Sequence, residues 1–140
     1  MFYKKILVPL DGSENAKLAA RHAVALAKSG DMQVILLYCY GEIPTAIGGD
    51  ARDTIIAECE KQGKSILEVA KLMCEKDGVS FKEVVAAGSP GRTIVSVAEK
   101  EHCDLIVMGS RGLSDFSGMV MGSVSHRVLR HAAMPVLVVR

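Results

Sequence analysis

The sequence predicts an α/β fold: an open, doubly wound, five-stranded parallel sheet with helices on both faces. Three observations predict it. Apolar runs alternate with helical patterns along the whole chain, in the order βαβαβαβαβ. The first, second, fourth and fifth strand segments are continuous apolar runs rather than alternating ones, the pattern of strands buried on both faces. Hydrophobic residues make up 49% of 140 residues, enough for one real core and too many for a disordered chain. A single domain over 1–140 is expected, with no linker and no internal repeat.

Each element has its own signal. Lys5 to Leu10 reads as strand one. Glu14 to Ser29 reads as a helix with Ala16, Ala19, Ala20, Ala23, Val24 and Ala27 on one face, Ser13 as its N-cap and Gly30 as its stop. Gln33 to Tyr38 is strand two. Residues 39–49, with Pro44 and three glycines, read as a loop. Asp50 to Lys76 is a long helix with an apolar stripe of Ile56, Cys59, Ile66, Ala70 and Met73. Ser80 to Ala87 is strand three. Ser89-Pro90 opens a helix to about Lys100, in the pattern of an N-cap followed by proline at the first helical position. Asp104 to Met108 is strand four, Gly122 to His131 the last helix, and Pro135 to Val139 strand five.

Composition excludes several function classes. Seventeen basic residues against 16 acidic ones give a formal net charge of +1, so no electrostatic feature calls for nucleic acid or an anionic membrane. Aromatics at 4% leave no base-stacking surface for single strands. Cys39, Cys59, Cys74 and Cys103 form no C-x2-C pair and read as small buried hydrophobes. The segment before Lys5 has no apolar signal core, and no run approaches a membrane span. A soluble, cytoplasmic protein is expected. His126 and His131 are five apart and His22 and His102 are isolated, so a protein-built metal site is not expected.

The chemistry-bearing pattern is Gly109-Ser-Arg-Gly112, nine residues, then Gly122-Ser123. It follows the apolar strand Asp104-Leu-Ile-Val-Met108 and precedes a helix. Glycine lets the backbone turn tightly and approach a ligand. Free N–H groups and the dipole at a helix N-terminus favour an anion there. Backbone groups of Gly109, Gly112 and Gly122 would cradle phosphates, with the hydroxyls of Ser123 and Ser125 as added donors. The plain alternative for Gly122-Ser123 is a turn and a helix cap. For Asp11, at the end of strand one, the alternative is an Asp-Gly turn.

The spacing G-x2-G-x9-G-S resembles the nucleotide-binding signature of the universal stress protein family, in its ATP-binding branch. Ile6-Leu-Val-Pro-Leu-Asp-Gly-Ser13 resembles the opening strand and turn of that family. Asp104-Leu-Ile-Val-Met-Gly-Ser-Arg-Gly112 resembles its fourth strand and loop. Gly122-Ser-Val-Ser125 and Pro135-Val-Leu-Val-Val139 resemble its last helix start and last strand. Right-handed crossovers leave more than one reversal point open. The resemblance implies strand order 3-2-1-4-5, with the site at the carboxyl ends of strands one and four. It further implies an adenine nucleotide as ligand, ATP or else ADP or AMP, with Mg2+ or Mn2+ as a possible companion. The implied binding residues are Pro9, Asp11, Cys39, Gly109, Arg111, Gly112, Gly122, Ser123, Val124 and Ser125. Cys39 enters through its main chain, and Asp11 beside the adenosine end or the metal.

Leu113 to Met121 departs from the ATP-holding members, which often carry basic residues there. It has none and contains Asp115. The choice among ATP, ADP and AMP stays open. There is no G-x4-G-K-[ST], no G-x-G-x2-G after strand one and no G-x-S-x-G. No catalytic residue is assigned. The expected function is that of a nucleotide-binding stress-response sensor or switch with little or no hydrolysis. A slow ATP hydrolase or phosphotransfer protein, or a ligand-free dimeric interaction module, are the alternatives. Ligand binding would order the segment 113–121 and alter a surface for protein partners. The apolar edge strand 135–139 is expected to make a homodimer.

Overall fold

In a computed structural model that describes residues 2–113, 115, 118 and 120–140, five parallel strands form one sheet in the order β3-β2-β1-β4-β5. The strands are β1 (Lys5–Pro9), β2 (Gln33–Tyr40), β3 (Phe81–Ala87), β4 (Leu105–Gly109) and β5 (Val136–Val139). The helices are α1 (Glu14–Gly30), α2 (Gly49–Asp77), α3 (Pro90–Lys100) and α4 (Ser123–His131). The order βαβαβαβαβ and the reversal between β1 and β4 both agree with the expectation from sequence.

Alternating residues of the strands feed two cores. Ile6, Val8, Val34, Leu36 and Val107 face α1 and α2. Leu7, Ile35, Leu37, Ile106 and Met108 face α3 and α4. This is why residues 6–8 of β1, 34–37 of β2 and 105–108 of β4 are unbroken apolar runs: their middles have no solvent side. The alanine face of α1 is buried as read, and its small residues let the helix lie close on the sheet. Ser13 caps α1, its Oγ accepting the Ala16 N–H at 3.1 Å.

Three local expectations are corrected. Gly30 is the last residue of α1, and Asp31 takes the left-handed position at φ 53°, a conformation aspartate tolerates through its short polar side chain. The buried seam of α2 is Gly63, Leu67, Ala70 and Cys74; of the expected stripe Ala70 belongs to it and Ile66 and Met73 pack against the core, whereas Ile56 and Cys59 are half-buried and outside it. Leu67 is 0% exposed, and truncating it to alanine would cost about 2–5 kcal/mol. Finally, β2 continues through Tyr40, so Cys39 is a strand residue rather than the start of a loop.

All four cysteines are free thiols; Cys74 and Cys103 are buried, Cys39 and Cys59 half-buried. No helix among the described residues is long and apolar enough to cross a membrane.

Candidate functional site

The sheet is tied at its amino end and parts at its carboxyl end. The Asp104 carboxylate accepts the N–H groups of Lys4 at 2.7 Å and Lys5 at 3.0 Å, joining the start of β4 to the start of β1. Strand β1 pairs with β2 as far as Pro9↔Leu37. Its register with β4 covers only Ile6↔Leu105 and Leu7↔Ile106. Beyond Leu7 the two strands diverge into a crevice at the topological switch point, where ligands of open α/β sheets bind.

Asn15, in the first turn of α1, fills the root of that crevice. Its Oδ1 accepts the Arg111 N–H at 2.8 Å and the Ser110 hydroxyl at 3.4 Å. Gly109 is required here by close approach. A Cβ on it would lie 2.7 Å from Asn15 Oδ1 and 3.0 Å from the Asn15 backbone carbonyl carbon. Asparagine is a mediocre helix former, so its place just inside α1 was a signal available in the sequence, and sequence reasoning missed it.

The loop after β4 is stitched to the start of α4. Gly122 N–H donates to the Ser110 carbonyl at 2.5 Å. The buried Ser125 hydroxyl donates to the Gly109 carbonyl at 2.7 Å. That bond uses the Ser125 hydroxyl hydrogen to close the loop. Gly122 is the N-cap of α4, and no side chain of the described residues caps that helix. Its first-turn N–H groups have no intrahelical partners.

Asp11 joins the two halves of the crevice. Oδ1 accepts the Ser13 N–H at 2.9 Å, the turn bond expected of an Asp-Gly pair, with Gly12 at φ 91°. Oδ2 accepts the Leu113 N–H at 3.0 Å from the far side of the crevice. One carboxylate thus makes the turn bond and a bond across the crevice. Asp115 supplies a second carboxylate: its Oδ2 accepts the Gly112 N–H at 2.7 Å.

These elements enclose a cavity of about 270 Å³. Of the residues singled out in the sequence, Pro9, Asp11, Cys39, Gly109, Arg111, Gly112, Val124 and Ser125 line it, while Gly122 and Ser123 do not. Gly122 is buried behind Asp115, and Ser123 is exposed at the first position of α4. The inner wall is apolar: Leu37, Ile94, Met108 and Val124. Pro90 and Ile94 of α3 were not foreseen as wall residues, because nothing local to α3 marks the face it turns to the crevice. Burial pushes the Cys39 thiol up to about 12, so the wall at this point is uncharged at neutral pH. Among the described residues no group of three His, Cys, Asp or Glu side chains could hold a metal by itself. The segment expected to order on binding lies partly outside the described residues, at 114, 116, 117 and 119.

The chain is similar to known proteins along nearly its whole length. The chain is 38% identical over 140 residues to universal stress protein MJ0531 of Methanocaldococcus jannaschii, covering 99% of this chain and 82% of that one. It is 35% identical to universal stress protein YxiE of Bacillus subtilis, covering 99% of both. The solved structure of MJ0577 superposes with a TM-score of 0.88 at 33% identity, over 99% of this chain and 96% of that one. A universal stress protein solved in complex with cAMP superposes with a TM-score of 0.80 at 27% identity, over 100% of this chain and 99% of that one. The model of the universal stress protein family matches residues 2–140. On the fold, the relatives and that match together, the chain belongs to the universal stress protein family.

Proposed function

We propose that this protein binds an adenine nucleotide in the crevice between β1 and β4, and that binding rather than turnover is its output. The observation that carries the reading is the two-part cavity. Its inner wall of Leu37, Ile94, Met108 and Val124 suits the flat apolar faces of a base. Its mouth holds the Gly109–Gly112 loop and the open N-terminus of α4, which suit phosphate. The cAMP complex of a family member gives independent support for an adenine ligand.

The residues divide the work as follows. Pro9 and the main chain at Cys39 border the base. Asp11 reaches a ribose hydroxyl or a phosphate-bound Mg2+ or Mn2+. Gly109, Arg111, Gly112, Gly122, Ser123 and the start of α4 around Val124 meet the phosphates. Ser125 holds the loop in shape through Gly109. No residue is assigned a catalytic role: among the described residues the carboxylates at the mouth, Asp11 and Asp115, already accept backbone N–H groups. Because Asp11 grips the Leu113 N–H, a ligand that competes for Asp11 would move the segment beginning at Leu113. That couples occupancy to a surface available to protein partners.

The same reading includes a homodimer through β5. Strand β5 is the sheet edge beside β4, and Leu137 on it is 40% exposed. An apolar edge invites pairing with a second copy.

Calorimetric titration with ATP, ADP, AMP and GTP tests the proposal. Adenine nucleotides should bind the wild type in preference to GTP, and Gly122→Val should abolish binding of the phosphorylated ligands, because a side chain there meets the Asp115 carboxylate and disrupts the phosphate end of the site. Unchanged affinity in Gly122→Val would move the site elsewhere.

A further inference from the structure

We propose that Asp115 is a built-in competitor for the phosphates of the ligand, and that it sets which nucleotides the crevice accepts. The inference rests on the nucleotide-binding reading above and assigns its selectivity to one side chain. The Asp115 carboxylate sits where an incoming anion would go. Its Oδ2 accepts the Gly112 N–H at 2.7 Å. It lies directly against Gly122, the N-cap of α4: a Cβ built there would fall on Oδ2 and stand 2.8 Å from Cγ. Gly122 is itself buried and the carboxylate stands beside the positive end of the helix, whose first-turn N–H groups no side chain of the described residues caps.

The geometry explains a feature that a phosphate cradle alone does not. A site built to receive polyphosphate would be expected to present several cations at its mouth, yet beyond Arg111 the residues 113–121 add no lysine or arginine and one aspartate. The second carboxylate, Asp11, also stands against Gly112: a Cβ on Gly112 would lie 2.5 Å from Asp11 Oδ2 and 3.8 Å from Asp115 Oδ2. Two carboxylates thus meet at this point of the loop, Asp115 on the Gly112 N–H and Asp11 on the N–H of the next residue, Leu113. A polyphosphate entering this mouth must displace Asp115, and it then meets like charge unless a divalent cation lies between. A ligand with no phosphate near Gly122 leaves Asp115 in place. The crevice is therefore tuned for metal-bound polyphosphate or for singly phosphorylated nucleotides, and against metal-free ATP.

The test compares wild type, Asp115→Asn and Asp115→Ala, each titrated with adenosine, AMP, ATP with and without Mg2+, and inorganic tripolyphosphate. Asparagine keeps the size and an acceptor for Gly112 but removes the charge. Alanine removes the plug. In both variants the ratio of metal-free ATP affinity to adenosine affinity should rise roughly tenfold or more, the change expected from losing one charge-assisted competitor. Tripolyphosphate should gain by a similar factor, and the advantage Mg2+ gives ATP should shrink. An unchanged ratio with adenosine still bound overturns the role of Asp115 and leaves the nucleotide reading standing. A gain for tripolyphosphate without adenosine or nucleotide binding to any of the three proteins does the reverse. Tripolyphosphate that binds no better to either variant than to wild type overturns the proposal directly.

Discussion

Asp11 and Leu113 are 102 positions apart in the chain, and the carboxylate of the first accepts the backbone N–H of the second at 3.0 Å. The bond ties the turn after β1 to the loop after β4. It closes the crevice at the point where the sheet itself has parted. A ligand in the crevice must either use this bond or replace it.

Asp11→Ala should therefore leave the fold in place and weaken nucleotide binding. The lost acceptors cost about 0.5–1.5 kcal/mol each in stability, a modest decrease in thermal midpoint. The larger expected effect is loss of the stabilisation that saturating nucleotide gives the wild type. Thermal melts with and without ATP and Mg2+ measure both, and a variant that retains the full ligand-induced shift would remove Asp11 from the site.

Gly109 tests packing rather than chemistry. In Gly109→Ala the new Cβ would lie 3.0 Å from a backbone atom of Asn15, which cannot rotate away. Overpacking of this kind costs about 1–3 kcal/mol, read by chemical denaturation. Asn15→Ala should cost about 1 kcal/mol through the lost acceptor for Arg111 N–H, and should weaken nucleotide binding by loosening the loop. A stability equal to wild type in both variants would contradict the close approach of α1 to β4.

Most of the fold was legible because burial on both faces writes continuous apolar strands, as in Ile6-Leu7-Val8 and Ile106-Val107-Met108. The strand order needed the family resemblance, since crossover handedness alone leaves the reversal point open. The glycines of the mouth were legible because their spacing is local to one stretch of sequence. What was not legible came from long-range contact. Asn15 meets Arg111 across 96 positions, and Ile94 reaches the cavity only because α3 packs beside β2. The bond of the Ser125 hydroxyl to the Gly109 carbonyl spans 16 positions and depends on how α4 docks, so no local signal marks it.

Hydrolysis should be slow or absent. The chain lacks a P-loop lysine, and typical kinases turn over at about 1–100 per second. Phosphate release from ATP and Mg2+ should fall far below that range. A rate within it, abolished by Asp11→Ala or Gly122→Val, would overturn the assignment of binding as the output.

The edge strand gives a separate prediction. Val136 and Val139 are committed to the two cores, whereas Leu137 is exposed and lies on the edge. Leu137→Lys should shift dimer toward monomer without changing the melting midpoint of the subunit core appreciably. Light scattering at micromolar concentration reads the mass. A wild type that is already monomeric would end the dimer proposal.

Cys39 should be a poor nucleophile. Burial holds its thiol up at about 12, so almost none is thiolate at pH 8. Alkylation followed by peptide mass mapping should leave Cys39 unmodified in the native protein, with or without ligand. Rapid labelling of Cys39 in the free protein would mean that the inner wall of the crevice is open to solvent.

The central claim is that an adenine nucleotide occupies the crevice between β1 and β4. The most direct measurement is a two-dimensional amide NMR titration of the nitrogen-15-labelled protein with ATP and Mg2+. The largest shifts should fall on Asp11, Cys39, Arg111, Gly112 and the first turn of α4, while β3 and α2 stay still. Shifts centred on another face of the sheet, or no shifts at millimolar nucleotide, would contradict it.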